Sequence, residues 1–149
     1  MTVLRESDVA QAGYVFDADP ERIDRDVVWR FMSELAYWGK WRDRAVVEAQ
    51  IDASWRTVGC YDRQGNMVGF ARAISDGVSL AYLADVFVLP EHRGRGLGVA
   101  LVDFMIDKGP GPHFRWMLHT GDAHGVYAKA GFRAPDATFL ERPGRAPTD

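Results

Sequence analysis

The sequence contains a single cysteine, Cys60, and this scarcity restricts both its covalent and its metal chemistry. One thiol cannot form a disulfide within the chain or supply the several cysteine ligands of a structural zinc site. We therefore expect no bound metal and a reducing, cytoplasmic environment. Cys60 lies in the middle of a predicted strand, where a buried, inert thiol is favoured over a nucleophile.

Long apolar runs are also missing from the sequence. No apolar stretch approaches the roughly 20 residues that a membrane-spanning helix needs. The first twelve residues include Arg5, Glu6 and Asp8 and contain no apolar core. We therefore expect neither a signal peptide nor a membrane partner.

A surplus of basic residues is absent as well. The formal net charge is −3, whereas a nucleic-acid-binding domain normally has a basic patch or stripe. The densest basic cluster is Arg93 with Arg95, beside Glu91. Two arginines suffice for one anionic ligand but not for a duplex, so we expect no nucleic-acid partner.

The 149 residues have the composition of one soluble domain, which we place at residues 1–142, with residues 143–149 as a disordered tail. Hydrophobic periodicity and turn signals predict an α/β fold with a mixed sheet flanked by four helices. Strands are predicted at 13–16, 57–61, 67–74, 79–89, 114–119, 132–134 and 138–141. Helices are predicted after N-cap residues Asp24 and Asp43, at 97–108, and at 122–130 with Asp122 as a cap and Gly131 after the end. The strand at 79–89 is apolar on both faces, which is typical of a central strand.

The segment from Val86 to Gly98 carries most of the functional information. Its glycines alternate with large residues between a buried strand and an amphipathic helix. Such a loop can hold a phosphate or pyrophosphate on its main-chain N–H groups, because glycine permits close approach and the helix dipole attracts an anion. A Walker A loop is excluded because Gly-Lys-Ser/Thr is missing, and a dinucleotide loop because Val99 replaces the third glycine. The alternative is a tight turn with two solvated arginines.

The same residues resemble the GNAT superfamily of general N-acetyltransferases. The family motif R/Q-x-x-G-x-G/A, after a strand ending in V-x-P, is matched by Arg93 to Gly98 after Val88-Leu89-Pro90. A later family motif, a strand and short helix with a tyrosine before Gly-Phe, is matched by Tyr127 and Gly131-Phe132. The resemblance implies a mostly antiparallel sheet of about six to seven strands that splays at the cofactor site, and an acetyl-coenzyme A-dependent N-acetyltransferase.

The resemblance also implies which residues bind acetyl-CoA. The loop main chain would hold the pyrophosphate and the strand before it would pair with the pantetheine arm. Thr120 stands where many members carry asparagine. The implied cofactor-binding residues are Val86, Phe87, Val88, Arg93, Gly94, Arg95, Gly96, Leu97, Gly98, Val99, Ala100, Thr120 and Asp122.

Two residues are candidates for proton transfer. Tyr127 matches the family tyrosine, and a protonated phenol can donate a proton to a departing thiolate. The alternative is a core tyrosine. Asp85 is the one charge in its strand, so it is either the general base or the partner of an arginine such as Arg72.

The first two helices and their connection provide the acceptor site in this family. Candidate acceptor-binding residues are Glu34, Tyr37, Trp38, Trp41 and Asp76. An aromatic cluster suits a cation or a flat apolar group, although the rings could instead pack the helix pair. The acceptor is expected to be a small-molecule or peptide amine, attacked directly in a ternary complex. A catalytically silent CoA-binding sensor is the alternative function, and a homodimer through the C-terminal strands is possible.

Overall fold

The computed structural model describes residues 12–38 and 41–145. Within them the chain forms five strands and four α-helices. The strands are β1 (Val15–Asp17), β2 (Arg56–Tyr61), β3 (Met67–Ser75), β4 (Leu80–Val88) and β5 (Arg115–Met117). The helices are α1 (Arg25–Glu34), α2 (Arg44–Asp52), α3 (Leu97–Ile106) and α4 (His124–Lys129). In this part of the chain no helix is long and apolar enough to cross a membrane.

The five strands form one sheet in chain order, β1-β2-β3-β4-β5. The first three pairings are antiparallel and the last, between β4 and β5, is parallel. The mixed, mostly antiparallel sheet with four flanking helices is therefore confirmed, with five strands instead of six to seven. β4, the predicted central strand, has a neighbour on each side. The middle strand of the sheet is β3, in which every residue from Met67 to Ala73 is buried.

The two C-terminal strands predicted at 132–134 and 138–141 are not formed. Asp136 instead closes a local turn, because its carboxylate accepts hydrogen bonds from the N–H and hydroxyl groups of Thr138. The Phe139 N–H donates to the Asp136 carbonyl at 3.2 Å. Main-chain groups used in this turn are not available for a strand ladder, and Pro135 removes a further donor. This prediction was wrong.

Each face of the sheet is covered by its own hydrophobic core. One core packs α3 against the sheet through Leu97, Leu101 and Met105, which repeat at helical spacing. The opposite core packs α1 and α2 against the sheet through residues such as Phe31, which stacks on Phe87 with ring centroids 4.0 Å apart. The predicted α1–α2 connection therefore lies on the second face.

Capping side chains explain where two of the helices begin. Asp24 accepts hydrogen bonds from two N–H groups of α1, and Asp43 accepts one from α2, as predicted. Asp122 does not cap α4: that helix begins at His124, and no side chain caps it. Gly131 follows α4 with φ 91°, the left-handed conformation expected of a glycine at this position.

Candidate active site

β4 and β5 run side by side for only three residues and then separate. Their parallel pairing ends where Tyr82 faces Met117. β4 continues to Val88, so from Leu83 onward its edge toward β5 pairs with no strand in the described part of the chain. Unpaired main-chain groups at a strand edge can accept an extended ligand as an added strand. The predicted splay is thus present.

A β-bulge interrupts β4 just past this point of separation. One residue of β3, Ala71, lies opposite two residues of β4, Asp85 and Val86. Asp85 has φ 53°, and aspartate adopts this left-handed conformation more readily than most side chains do. A bulge re-aims the side chains around it, and here the Asp85 carboxylate reaches Arg72 on β3.

The glycine loop directly follows the free edge of β4. Gly94 and Gly96 have φ 78° and 75°, and α3 begins immediately after at Leu97. The first N–H groups of a helix have no acceptor within the helix, and the positive end of its dipole lies there. A Cβ placed on Gly94 would meet no protein atom within 4 Å. The main chain of the loop is therefore open to a ligand, and its chemistry suits an anion.

The two arginines of this loop are held by protein groups. Arg95 Nη1 donates to the hydroxyl of Tyr14 at 2.9 Å, and that hydroxyl lies 2.7 Å from His92 Nδ1. Tyr14 is buried, so it ties the loop to the start of β1. Arg93 Nε donates to the Val88 carbonyl at 3.0 Å. Both arginines are largely exposed, which leaves the rest of each guanidinium accessible to a ligand.

Asp85 is the centre of a buried ion-pair cluster. Its two carboxylate oxygens accept two hydrogen bonds from Arg42 at 2.9 and 3.0 Å, one from Arg72 at 2.8 Å and one from Trp38 Nε1 at 2.8 Å. The side chains of Asp85, Arg42 and Arg72 are 7%, 5% and 8% exposed. Burial by itself raises the pKa of Asp85, but the bonds and charges of the two arginines outweigh it and lower the pKa to about 2. The sequence allowed two roles for Asp85, a general base or the ion-pair partner of an arginine, and the structure contains the ion pair with Arg72.

The cluster also fixes the connection between α1 and α2. Arg42 donates a further hydrogen bond to Gln50 Oε1 on α2 at 2.6 Å and contacts the sulfur of Met32 on α1. Through Trp38 and Arg42, this connection is bonded to the bulge of β4. Gly39 and Lys40 lie outside the described residues.

Tyr37 joins the same connection to the loop that precedes α4. Its hydroxyl donates to Asp122 Oδ1 at 3.2 Å and accepts the Gly121 N–H at 3.1 Å. Nearby, Thr120 Oγ1 accepts the Ala123 N–H at 3.0 Å. Asp122 therefore bonds to the α1–α2 connection, and Thr120 supports the turn into α4.

Tyr127 lies on α4 and lines a cleft of about 970 Å³ between β5, α4 and the C-terminal segment. His119 and Thr120 line the same cleft. Burial, with smaller contributions from Tyr37 and Asp122, raises the pKa of Tyr127 to about 12. The phenol is therefore protonated throughout the neutral range. No hydrogen bond engages its hydroxyl within the described ranges, so this group is available to a ligand.

The remaining acceptor candidates are not brought together. Glu34 is exposed at the end of α1, and Trp41 is 63% exposed in the connection. Asp76 lies in the β3–β4 turn, where one oxygen accepts the N–H groups of Val78, Ser79 and Leu80. Those bonds lower the pKa of Asp76 to about 2. Asp76 thus stabilises a hairpin at the opposite end of β4 from the glycine loop.

Sequence reasoning missed two of the residues that organise the site. Arg42 was visible as a cation within an aromatic run, but nothing in its local pattern indicated that it is 8% exposed and bonded to Asp85. Tyr14 lies 81 positions from Arg95, so their contact has no local signal at all.

Comparison with known proteins agrees with this arrangement. The model of the acetyltransferase (GNAT) family matches residues 25–132, well over half of the chain. The chain is 32% identical over 106 residues to a Gibberella zeae protein named "Putative acetyltransferase FG08082", covering 70% of this chain. It spans only 58% of that relative's length.

Solved structures extend the comparison to the fold. A Xanthomonas campestris pv. campestris structure described as "a putative acetyltransferase belonging to the gnat family" has a TM-score of 0.80 and 39% identity, covering 88% of this chain and 93% of its own. A Deinococcus radiodurans structure at 21% identity shares the fold, with a TM-score of 0.65 over 95% of this chain and 94% of its own. With its splayed strands, glycine loop and family match, this chain belongs to the GNAT family of acetyltransferases.

Proposed function

We propose that this chain transfers an acetyl group from acetyl-CoA to a primary amine, by direct attack of the amine in a ternary complex. The carrying observation is the free edge of β4 from Leu83 to Val88, which leads directly into the open glycine loop. This arrangement suits a long ligand with an extended arm and an anionic end. Membership of the family supports acetyl transfer, and the choice of an amine as acceptor is our inference.

The residues present fit acetyl-CoA at both of its distinctive parts. Two glycines with positive φ and a helix N-terminus suit the pyrophosphate, and the free strand edge suits the pantetheine amides. The residues proposed to hold it are Val86, Phe87, Val88, Arg93, Gly94, Arg95, Gly96, Leu97, Gly98, Val99, Ala100, Thr120 and Asp122. When bound, acetyl-CoA supplies an acetyl group activated as a thioester.

Tyr127 is proposed as the general acid. Its side chain is partly buried and lines the cleft, and its raised pKa keeps the proton in place until a leaving group needs it. Cys60 does not compete as a covalent carrier, because it is fully buried and burial raises the pKa of its thiol to about 12. These two observations support direct transfer to the amine.

Asp85 is proposed to act through position and not as the base. A carboxylate with four hydrogen bonds from two arginines and a tryptophan is a weak proton acceptor. Its contacts instead set the position of Trp38 and Arg42 next to the β4 bulge. Asp85 thereby shapes the wall on the acceptor side of the splay.

The acceptor site is proposed to lie along the α1–α2 connection. Tyr37 and Trp41 are 59% and 63% exposed, and Trp38 packs edge-on against Tyr37 and donates to Asp85. Exposed rings attract ammonium groups through their faces. Glu34, at the end of α1, would add a negative charge at the entrance. Asp76 is proposed to have no part in binding, since its oxygens are committed to the hairpin turn.

Release of free thiol from acetyl-CoA in the presence of an amine tests the proposal. The panel would contain benzylamine, spermidine, glucosamine 6-phosphate and a peptide with a free N-terminus, with their N-acetylated forms as matched controls. At least one free amine should raise the rate of thiol release at least tenfold, and its acetylated form should not. Acetyl-CoA binding without amine-dependent release from any panel member would favour the CoA-binding sensor instead.

A further inference from the structure

A chain of three proton-carrying side chains lies beside the splay and has no part in the function described so far. The Tyr82 hydroxyl is hydrogen-bonded to Nδ1 of His119, and Nε2 of His119 is hydrogen-bonded to the Glu141 carboxylate. Tyr82 is on β4, His119 follows β5, and Glu141 is in the C-terminal segment. Three separate segments therefore converge on one imidazole.

The hydrogen-bonded series Tyr82–His119–Glu141 reaches the surface on which the acceptor is proposed to bind. Tyr82 is the last residue of β4 that pairs with β5. On the other side it faces Ile74, two positions from Arg72, so the side chains of Tyr82 and Arg72 share a face of the sheet. Arg72 bonds to Asp85 on that same face. The Tyr82 hydroxyl is thus on the side of the α1–α2 connection.

His119, the middle residue of this series, lines the same cleft as Tyr127, the proposed acid. One continuous set of contacts therefore runs from the acceptor side of the splay to the cleft that holds the proposed acid. An amine that attacks a thioester needs a proton acceptor on its own side and a proton donor on the side of the sulfur.

The contacts of His119 suit it to accept a proton. Glu141 can only accept a hydrogen bond when ionised, so Nε2 carries the hydrogen and Nδ1 is left as an acceptor toward Tyr82. A carboxylate on one ring nitrogen fixes the tautomer and stabilises the imidazolium that forms when the other nitrogen is protonated. The exposed His119–Glu141 pair contributes little to stability, at most about 1 kcal/mol.

Asp85 is poorly suited to be the base, because its carboxylate oxygens accept hydrogen bonds from Arg42, Arg72 and Trp38. We propose that Tyr82 and His119 form the general base that deprotonates the acceptor amine, with Glu141 as the residue that positions His119. This inference rests on the proposed acetylation of an amine.

Each proton that moves during acetyl transfer has a donor and an acceptor. The amine gives a proton to the Tyr82 oxygen as the Tyr82 proton passes to Nδ1 of His119, and Glu141 balances the new positive charge. The amine nitrogen bonds to the acetyl carbon, the carbon–sulfur bond breaks, and the sulfur takes its proton from Tyr127. The step leaves His119 protonated and Tyr127 deprotonated, and proton exchange with solvent restores both. No oxidant or reductant is required.

The charged groups around the chain define its expected response to pH. Burial, Glu141 and Asp85 raise the pKa of Tyr82, whereas Arg72 lowers it. Tyr82 alone is therefore a poor base near neutral pH and depends on His119 to take its proton. Replacing Glu141 with glutamine removes the charge that stabilises the imidazolium, so proton transfer to His119 should be less favourable in that variant.

The test compares His119→Gln, Tyr82→Phe and Glu141→Gln with the wild-type chain, using the panel amine that the wild type acetylates fastest. His113→Gln is the matched control, because His113 is an exposed histidine that does not line the cleft. We expect His119→Gln to lower kcat about 100-fold, with an unchanged thermal shift on addition of acetyl-CoA. The rising limb of kcat against pH should move to lower pH in Glu141→Gln. Because the same amine is used throughout, a shift of this limb reflects a change in the protein and not in the amine.

Two results would overturn the proposal. One is a wild-type kcat in His119→Gln, and the other is a ¹⁵N spectrum in which the His119 ring, assigned by its loss in that variant, carries its hydrogen on Nδ1. The spectrum needs no acceptor, so it remains decisive if the wild type acetylates no panel amine. Amine-dependent turnover at the wild-type rate in His119→Gln refutes the base while leaving the acetyltransferase intact, which separates the two failures.

Discussion

Asp85→Asn should lower the free energy of unfolding by about 3–5 kcal/mol, since it leaves Arg42 and Arg72 buried without an opposing charge. In a domain of this size that loss corresponds to a fall in the unfolding midpoint of roughly 10 °C, measured by circular dichroism. The asparagine has the shape of the aspartate, so the effect isolates the charge. We expect the α1–α2 connection to loosen with it, because Trp38 and Arg42 both bond to this carboxylate.

Asp52→Asn is the matched control for this result. Asp52 also forms an ion pair with an arginine, Arg25, but its side chain is 66% exposed, and exposed pairs contribute about 0–1 kcal/mol. The pKa of Asp85 is about 2 in the folded chain and 3.8 without the fold, so its stabilisation is complete above about pH 4 and is lost as the pH falls toward 2. Asp85→Asn should lack that component of the acid dependence.

Turnover by the folded fraction of Asp85→Asn separates a structural role from a catalytic one. We expect kcat per folded molecule to stay within about tenfold of the wild type, below the 10²–10⁴-fold that loss of a general base typically costs. A variant that keeps wild-type stability yet loses two orders of magnitude or more in kcat would return Asp85 to the mechanism as the base.

Tyr127→Phe should lower kcat for thiol release by about 10²–10³-fold while leaving acetyl-CoA affinity nearly unchanged. The change removes one hydroxyl from a residue that lines the cleft and keeps the ring that packs edge-on against Phe132. Because the pKa of Tyr127 is raised to about 12, its proton is present up to about pH 10, so deprotonation of Tyr127 should cause no fall in wild-type kcat below that pH.

Tyr61→Phe is the matched control for this variant. Tyr61 is buried on β2, and its hydroxyl donates to the Arg22 carbonyl far from the cleft. Its loss should cost about 1 kcal/mol of stability and leave kcat unchanged. Equal kcat values in Tyr127→Phe and the wild type would remove Tyr127 as the acid.

The local parts of the fold were predictable from sequence because their causes are local. Asp24 and Asp43 cap their helices through bonds spanning two or three residues. The glycine loop was predictable because its motif contains Gly94 and Gly96, which adopt the positive φ that glycine permits. The predicted C-terminal strands are absent for an equally local reason. The turn at Asp136 engages main-chain N–H groups that would otherwise pair with a neighbouring strand.

The contacts that organise the site were not predictable in the same way. Asp85 was identifiable as an isolated charge, but its geometry depends on a bulge that appears only when β3 and β4 pair out of register. Arg42 reaches it from 43 positions away, and His119 bonds to residues 37 and 22 positions away. Such contacts are set by tertiary packing, which sequence periodicity does not encode.

The open loop after β4 is proposed to bind acetyl-CoA, and calorimetric titration of paired glycine variants measures that binding. Gly94 and Gly65 have φ 78° and 83°, and a Cβ on either would meet no protein atom within 4 Å. Alanine should therefore strain both turns equally, by about 1–2 kcal/mol. We predict that the wild type and Gly65→Ala bind acetyl-CoA alike and that Gly94→Ala binds at least tenfold more weakly. Equal binding by Gly94→Ala, or no binding by the wild type at millimolar acetyl-CoA, would contradict the account.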